Sequence, residues 1–421
     1  MSLNQRAAAV ALLTTSLLVS ACSGKAVTGG DGGGGTNDVQ TDFGVTDDTI
    51  TLGVQTDQTG AFKVIGLAMT HGHQIWMDEI NENGGICGRD IALDIGDHGY
   101  KADNALPLFE SQQPDILGMI QLLGSPILAA LKQRITTEQV LSMPASWASQ
   151  NLDSPSVLMI GATYDIEMIN GMGFLHQQGM IQDGDKLAMI YLQNEAGDNT
   201  LMGAKAFAQK HNHELVETQI SATDTDMTAT ITKLKGKGVK AILLMSSPAT
   251  LASVAIQTKS QGLDLPIIGT NPTYAPNLLA DSATVDALDN YYLVQSIAPY
   301  TMDNEIADKV RQAYGDGDFQ DEPTQQIFSG YIHGLAWQAI LEKACDNGDL
   351  TRQGIMDARD QIDNVDTQGL MGNLDFSVPG APTTRETFIQ QVDPSVPGGL
   401  VLTQELTVSD EAEAYKAPHE Q

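Results

Sequence analysis

Runs of apolar residues separated by polar turns and amphipathic segments predict strands that alternate with helices along most of this chain. Residues 50–54 form a short apolar run, which is typical of a strand buried on both faces. A polar turn ending in Gly60 follows, and apolar or small residues then recur at steps of three or four, at Ile65, Met69, Gly72, Trp76 and Ile80. That spacing predicts an amphipathic helix. The helix is expected to end at Asn83, Gly84 and Gly85. The turn between strand and helix opens at the carboxyl edge of a sheet, where open α/β sheets bind their ligands.

The alternation continues in two series, separated by a turn-rich stretch at residues 151–155. The first series predicts further strands at residues 91–97, 115–123 and 140–143 and helices at residues 102–111 and 127–136. The second predicts strands at residues 157–160, 186–192, 214–220, 239–245, 266–268 and 292–294 and helices at residues 198–210, 227–235 and 251–260. The remainder predicts helices at residues 305–314, 325–344 and 352–360, strands at residues 388–391 and 401–406, and a polar terminus at residues 410–421 that frays. The whole pattern indicates an α/β fold in which helices cover both faces of parallel sheets.

Each series contains the same consecutive pattern once, at residues 120–131 and at residues 242–255. The pattern is a buried strand, a small residue, the pair Ser-Pro and then a helix. This repetition predicts two lobes of like build rather than one large sheet. Ser125 and Ser247 stand where a helix N-cap is expected, and the proline after each favours the first helical position. The free amide groups and the dipole of such a helix start can hold a carboxylate. Plain helix caps without a ligand are the alternative.

The charge of the chain excludes nucleic acid as the expected partner. The formal net charge is −31 over 421 residues, whereas nucleic acid is bound by positive surfaces. Such acidity is typical of a well-solvated surface, and attraction of cationic ligands is the alternative. At roughly 100–200 residues per domain, the length predicts two or three domains.

The first residues of the chain predict an exported protein. Arg6 precedes an apolar run at residues 7–19 that is too short to span a bilayer. Val19-Ser20-Ala21-Cys22 then resembles the lipobox of bacterial lipoproteins, in which the cysteine is lipidated and becomes the mature N-terminus. The resemblance implies a signal peptide at residues 1–21, lipidation of Cys22, and a flexible, glycine-rich tether at residues 22–45. The protein would then be lipid-anchored at the extracytoplasmic face of the cell membrane; an ordinary cleaved signal peptide is the alternative.

Four short motifs surround the first predicted helix: Gly53-Val54, Thr59-Gly60, Glu79-Ile80-Asn81, and the stretch from Gly84 to Arg89. Together they resemble the opening of the type I periplasmic binding proteins, the leucine/isoleucine/valine-binding family of ABC transporter receptors. A looser resemblance extends from about residue 49 to about residue 408. It implies an α/β fold of two doubly wound parallel-sheet lobes joined by a multi-strand hinge. Lobe 1 would comprise residues 46–160 and 297–381, lobe 2 residues 161–296 and 382–409, and a tail residues 410–421.

The family resemblance also implies a ligand site in the cleft between the lobes. Ser125 and the loop Ala145-Ser146-Trp147 would hold a carboxylate, and Tyr164 and Asp165 would face them from the second lobe. Asp165 is either the partner of a ligand ammonium or a helix cap, and Trp147 is either a pocket wall or an aromatic plug. Asn271 stands where amine-binding members often carry an acidic residue, which is a departure from the amino-acid-binding pattern. The remaining candidates are Ser247, Thr56 and Ile65.

Two cysteines remain if Cys22 carries lipid, and an exported protein folds in an oxidising compartment. These are Cys87 and Cys345, and the family resemblance implies that both lie in lobe 1. We therefore predict a disulfide between them. Two buried free thiols are the alternative.

Enzyme motifs are missing from the sequence, which contains no G-x-S-x-G, H-E-x-x-H or Walker A pattern. We therefore predict no catalytic residues and no cofactor. His71 and His73 point to roughly opposite faces of the predicted helix and cannot chelate one ion together, and His211 and His213 fall in a polar turn, so we predict no metal site.

The resemblance implies a solute-binding receptor of an ABC importer that works with membrane permease and ATPase subunits. Its ligand would be a small polar solute, an amino acid or a related amide or carboxylate. A surface sensor of the same fold is one alternative. An exported hydrolase is an alternative from a different class.

Overall fold

The structure is a computed structural model that describes residues 39–421. The predicted signal peptide, the lipidation site Cys22 and most of the predicted tether lie outside the described residues. In the described part of the chain, every helix is too short or too polar to cross a membrane.

The first part of the described chain forms a four-stranded parallel sheet with strand order β3-β2-β4-β5. Alternate residues Ile50, Leu52 and Val54 of β2 are fully buried, as the apolar run predicts. The elements are β1 (Gln40–Thr41), β2 (Thr49–Thr56), α1 (Lys63–Glu82), β3 (Asp90–Asp97), α2 (Ala102–Gln112), β4 (Gly118–Leu123), α3 (Ser125–Thr137) and β5 (Ser142–Ala145).

The next part of the chain begins a second sheet, in which β6 to β10 are parallel. Two later strands extend this sheet at one edge in antiparallel orientation, so that the strand order is β13-β12-β10-β9-β8-β6-β7. The elements before the return of the chain are α4 (Tyr164–Gln177), β6 (Lys186–Leu192), α5 (Glu195–His211), β7 (Glu214–Ile220), α6 (Thr228–Lys237), β8 (Ile242–Met245), α7 (Pro248–Ser260), β9 (Ile267–Thr270), α8 (Ser282–Ala287) and β10 (Tyr291–Gln295).

The last third of the chain first returns to the four-stranded sheet and then to the larger one. The returning elements are α9 (Glu305–Asp316), α10 (Gln326–Asn347), β11 (Asp349–Leu350) and α11 (Arg352–Arg359), followed by β12 (Thr387–Val392), β13 (Leu400–Thr407) and α12 (Asp410–Ala414). The strands β1 and β11 pair with each other. The α/β fold of two lobes built on parallel sheets is confirmed, with an antiparallel edge on the larger sheet.

Helices α1 and α10 pack closely in the first lobe because glycines stand at their contact. A Cβ atom at Gly72 would collide with the carbonyl oxygen of Ile327, and one at Gly330 with the carbonyl oxygen of Met69. The apolar stripe predicted for α1 is buried along its whole length. Helix α10 is therefore part of the core of the first lobe, although it lies far away in sequence.

Three chain segments pass between the two sheets and are hydrogen-bonded to one another. The hydroxyl of Thr383 donates to the carbonyl oxygen of Met159 over 2.7 Å and accepts from the amide of Gly161 over 3.1 Å. The hydroxyl of Ser296 accepts from the amide of Ala162 over 2.8 Å. These segments are next to Ile160, Ser296 and Pro382, the positions at which we expect the lobes to meet.

Two predictions about the secondary structure are wrong. Residues 157–160 do not form a strand, because only a single bridge joins Val157 to Ser142 before the chain turns towards the other sheet. The terminal residues do not fray, because α12 buries Ala412 and the following turn buries Ala417. The phenol of Tyr415 donates to Asp165 over 3.1 Å, which attaches this terminus to α4.

Cys87 and Cys345, the pair for which we predict a disulfide, are bonded in the structure, with their Cα atoms 6.2 Å apart. Cys87 lies in the loop after α1, and Cys345 lies near the end of α10. The bond therefore joins the ends of two helices that already pack together, across 258 residues of sequence.

Candidate functional site

A cavity lies between the two sheets, where loops at the carboxyl ends of several parallel strands meet. We call it the interlobe cavity. The first lobe lines it with Phe62, Ile65, Tyr100, Leu123, Gly124, Ser125, Ala145 and Trp147, and the second with Tyr164, Leu192, Asn194, Ala196, Met245, Asn271 and Pro272. Among these described residues none is acidic or basic. The wall is mostly aromatic and aliphatic, with a few polar groups, which is the usual composition of a small-molecule site.

The interlobe cavity is narrow. Its volume is about 30 Å³, far below the roughly 300–1,000 Å³ of pockets that hold drug-sized ligands. An organic solute therefore needs the two lobes to move apart before it can enter. The three hydrogen-bonded crossing segments are where we expect the axis of such a movement.

Ser125 lies at the wall of the cavity, but it does not cap α3. The N-cap is Gly124, whose φ of 110° places the chain in a conformation that favours glycine. Ser125 is instead the first helical residue, and its hydroxyl oxygen is 2.7 Å from that of Ser146. The prediction that Ser125 is an N-cap is therefore wrong, although its place at the cavity follows from the end of β4.

Trp147 and Tyr164 form the joint between the two lobes at the cavity. The indole N–H of Trp147 donates to the carbonyl oxygen of Ile160 over 2.8 Å, and the ring meets Tyr164 edge to face, 6.0 Å between centroids. The amide of Tyr164 donates to the carbonyl oxygen of Trp147 over 2.9 Å. Burial, together with the charge of Glu167, raises the pKa of Tyr164, so that its phenol stays protonated.

Asp165 does not face the cavity, and the structure contradicts its expected role as the partner of a ligand ammonium. Its carboxylate is fully buried and accepts from Ser149 over 2.6 Å, from Thr163 and from Tyr415. These hydroxyls, from Ser149 of the first lobe, from Thr163 and from the C-terminal Tyr415, satisfy the oxygens of Asp165, and its carboxylate is not part of the cavity wall.

The other candidates divide between the cavity wall and the layer behind it. Ile65, Ala145 and Asn271 line the cavity. Ser146 lies behind Ser125, and Thr56 accepts from Gln121 Nε2 over 2.8 Å inside the first lobe. Ser247 caps α7, where it accepts from the amide of Thr250, and is also outside the wall.

Asn271 is held from two sides. Its amide donates to Glu167 over 3.2 Å, and its side-chain oxygen is 3.4 Å from Gln326 Nε2, at the start of α10 in the first lobe. Burial raises the pKa of Glu167 well above its usual value. Hydrogen bonds from the backbone of Asn271 and Ser296 lower this pKa, but burial has the larger effect. Asn271 thus links the two lobes at the edge of the cavity.

Several residues of the cavity wall were not expected from the sequence. Tyr100 lies in the loop after β3, and Leu192 and Asn194 lie at the end of β6. Asn194 also caps α5 and accepts from the amide of Gly197 over 3.1 Å. The end of β6 was a detectable signal, because a strand end followed by an N-cap residue is the pattern that we used for Ser247.

Comparisons with known proteins agree with the two-lobed fold. The sequence model of the family described as "Periplasmic binding protein" matches residues 49–399. The structure of a fatty acid ABC transporter substrate-binding protein from Thermomonospora curvata has 35% sequence identity to this chain and a TM-score of 0.87, over 90% of this chain and 97% of that one. No curated protein sequence matches this chain.

Two more distant structures share the fold alone. One is a branched-chain amino acid ABC transporter protein from Thermus thermophilus with bound valine, with 17% identity and a TM-score of 0.73, over 88% of this chain and 99% of that one. The other is a leucine-binding protein from Thermotoga maritima, with 15% identity and a TM-score of 0.73, over 86% of this chain and 99% of that one.

The family shown by the sequence model and by the 35% identical structure is a family of solute-binding proteins and not an enzyme family. The chain belongs to the type I periplasmic binding proteins, the substrate-binding components of ABC transporters.

Proposed function

We propose that this protein captures a small carboxylate with an apolar body in the interlobe cavity and delivers it to the permease of an ABC importer. The observation that carries the proposal is the composition of the cavity wall. Aromatic and aliphatic side chains make up most of it, and none of its described residues is charged. An apolar body is therefore desolvated at little cost, whereas a second charge on the ligand has no ionic partner there.

The carboxylate would lie where two helices begin. The N-cap of α3, Gly124, and its first residue, Ser125, line the cavity. So do the N-cap of α5, Asn194, and its second residue, Ala196. The first amide groups of a helix lack partners inside it and carry the positive end of its dipole. Two such ends, with the Ser125 hydroxyl and the Asn194 amide, can hold an anion without a basic side chain.

An amino acid, the ligand class expected from the sequence, is the second candidate. The valine complex of the Thermus thermophilus protein favours it, and the name of the Thermomonospora curvata protein favours a fatty acid. An ammonium group would find only the side-chain oxygens of Asn194 and Asn271 and the tyrosine phenols, because Asp165 and Glu167 do not line the cavity. The wall therefore favours the plain carboxylate.

Three ligands with one carbon skeleton separate these candidates: 4-methylpentanoate, leucine (its 2-amino derivative) and 4-methylpentanamide. We expect 4-methylpentanoate to bind in calorimetry and to raise the melting temperature, leucine to bind at least tenfold more weakly, and the amide to be weakest. Tighter binding of leucine would establish an amino-acid receptor instead. Absence of binding by all three, and by octanoate as a longer carboxylate, would refute the proposed ligand class.

We further propose that a lipid on Cys22 holds the receptor at the outer face of the membrane, beside the permease and ATPase subunits. The lipobox-like residues 19–22 support this. Expression of the full chain and of Cys22→Ser, followed by separation of membranes, tests it. We expect the Cys22→Ser protein to leave the membrane fraction, and its retention there would show that the cysteine is not the anchor.

A further inference from the structure

Three potential metal ligands meet on the surface of the second lobe, outside the interlobe cavity. His176 lies in the last turn of α4, Asp183 lies in the loop that follows, and His211 is the last residue of α5. The Asp183 Oδ1 atom is 3.0 Å from His176 Nε2 and 2.8 Å from His211 Nδ1. In the described part of the chain, this is the one group of three such residues whose ligand atoms all lie within 4.8 Å of one another.

The two imidazole rings are held in place by their neighbours. Phe207, one turn before His211 on α5, stacks on the His211 ring at 4.3 Å between centroids. The rings of His176 and His211 are 4.6 Å apart. Since α4 and α5 pack side by side, the positions of both rings are set by the core of the lobe rather than by the loop.

A second carboxylate stands behind His211. Its Nε2 atom is 3.3 Å from Glu411 Oε1, on the opposite side of the ring from Asp183. Lys210 Nζ holds the same Glu411 oxygen at 2.8 Å. A histidine whose one nitrogen binds a metal generally donates its other N–H to a carboxylate, which fixes the tautomer. Glu411 therefore stands where such an orienting group is needed, and it points independently to a metal at His211 Nδ1.

We propose that His176, Asp183 and His211 bind a divalent transition metal ion, with Zn²⁺ as the best match. Two imidazoles and one carboxylate are a common ligand set for this ion, with water in the fourth position. Metal–ligand bonds of about 2.0–2.1 Å in a tetrahedron place ligand atoms about 3.3 Å apart. The present separations of 2.8 and 3.0 Å from Asp183 Oδ1 are slightly shorter than this, and the two histidine nitrogens lie within 4.8 Å of each other.

The alternative is a hydrogen-bonded cluster without a metal. Hydrogen bonds from His211 and then from His176 hold the pKa of Asp183 below its usual value, so that its ionised carboxylate can accept from both imidazoles. The hydrogen bonds and the metal site use the same three atoms, but only the metal site gives saturable binding of Zn²⁺.

Calorimetric titration of the purified, EDTA-treated protein with ZnCl2 tests the proposal. We expect one Zn²⁺ per chain, and at least a tenfold loss of affinity in each of His176→Ala, Asp183→Asn and His211→Ala. His213→Ala, beside the cluster, and Asp303→Asn, with the same change of charge on an exposed residue elsewhere, are matched controls that keep wild-type affinity. Melting temperatures in EDTA show which variants fold.

A measurement on the wild-type protein makes the test independent of folding of the variants. In nuclear magnetic resonance spectra of the histidine rings, we expect Zn²⁺ to shift the signals of two of the eight histidines, assigned as His176 and His211. Absence of saturable Zn²⁺ binding, shifts at other histidines, or wild-type affinity in all three ligand variants would overturn the assignment.

Discussion

The hydroxyl oxygens of Ser125 and Ser146 lie 2.7 Å apart, and this hydrogen bond joins the loops after β4 and β5 at the wall of the interlobe cavity. Ser125 is at the wall, whereas Ser146 is fully buried behind it. Ser146 therefore orients the Ser125 hydroxyl, which we place at the ligand carboxylate.

Replacement of Ser146 by alanine removes this bond without touching the cavity wall. We expect a loss of about 1 kcal/mol in the free energy of unfolding, which is typical of one hydrogen bond, and weaker binding of the tightest ligand in the carboxylate panel. Chemical denaturation and calorimetry measure the two effects. Ser142→Ala is the control, because Ser142 is an equally buried hydroxyl that bonds the carbonyl oxygen of Val140 within the first lobe: it should lower stability and leave affinity unchanged. Unchanged affinity in Ser146→Ala would contradict the orienting role.

Reduction of the Cys87–Cys345 disulfide should destabilise the protein. The bond closes a loop of 258 residues, and loss of a native disulfide typically costs about 2–5 kcal/mol. We expect dithiothreitol to lower the denaturation midpoint of the wild-type protein. The double variant Cys87→Ser, Cys345→Ser should unfold at that lower midpoint with or without reductant. Equal midpoints for all samples would show that the bond is not formed in solution.

Two buried histidines predict a loss of stability in acid. Burial and, to a smaller extent, the charge of His333 lower the pKa of His73 to about 3. Hydrogen bonds to Gly330 and Gln121 act in the opposite direction. Burial lowers the pKa of His333 to about 4, although a hydrogen bond to Ile120 acts to raise it. Because both folded pKa values lie below the unfolded value of 6.5, their contribution is fully present above pH 6.5 and is lost as the pH falls towards 4 and 3.

The expected loss is several kcal/mol in total, at about 1.4 kcal/mol per pKa unit. Urea denaturation at pH 7, 6, 5 and 4 measures it. His333→Gln should flatten the dependence, whereas His419→Gln, which removes an exposed histidine, should retain the wild-type slope. If the free energy of unfolding depends on pH equally in all three proteins, other groups cause the loss of stability in acid.

Glu167 predicts the opposite pH dependence. Its pKa is raised by burial, and the nearby Asp165 charge adds to the rise. This contribution is therefore fully present below the unfolded pKa of about 4.5 and is lost as the pH rises through the folded pKa.

Glutamine has nearly the shape of the protonated side chain and does not ionise. We expect Glu167→Gln to be more stable than the wild-type protein at pH 8, by on the order of 1–3 kcal/mol, with a smaller difference at pH 5. Melting temperatures at both values measure this, with Glu405→Gln as a control on an exposed carboxylate. A difference that does not depend on pH would mean that Glu167 does not titrate abnormally.

Local patterns explain which parts of the fold could be predicted. The strands at residues 186–192 and 214–220 have the predicted bounds, because apolar periodicity and polar flanks are properties of neighbouring residues. Residues 157–160 have the same apolar character but follow the turn at Pro155 and leave the sheet after one bridge. A short apolar run does not distinguish a strand from a buried crossing segment.

Residues of the candidate site could be predicted where the end of a strand determines their position. They could not be predicted where contacts with residues far along the chain determine it. Ser125 follows β4, Ala145 ends β5 and Trp147 follows it, so that their place at the carboxyl edge follows from the order of elements. Asp165 is turned inward by Ser149 and by Tyr415, which is 250 residues further along the chain. The proposed metal site likewise joins residues from α4, a loop and α5, and no sequence spacing indicates it.

The three hydrogen-bonded crossing segments mean that neither lobe is one continuous stretch of chain. Helix α10 supplies Trp337 and Phe328 to the first core, yet it is synthesised after the entire parallel portion of the larger sheet. A chain that emerges from its N-terminus, on the ribosome or through an export channel, therefore cannot complete the first hydrophobic core until most of its length has been released. The early part of the chain therefore stays without a complete core until the segment that carries α10 has emerged.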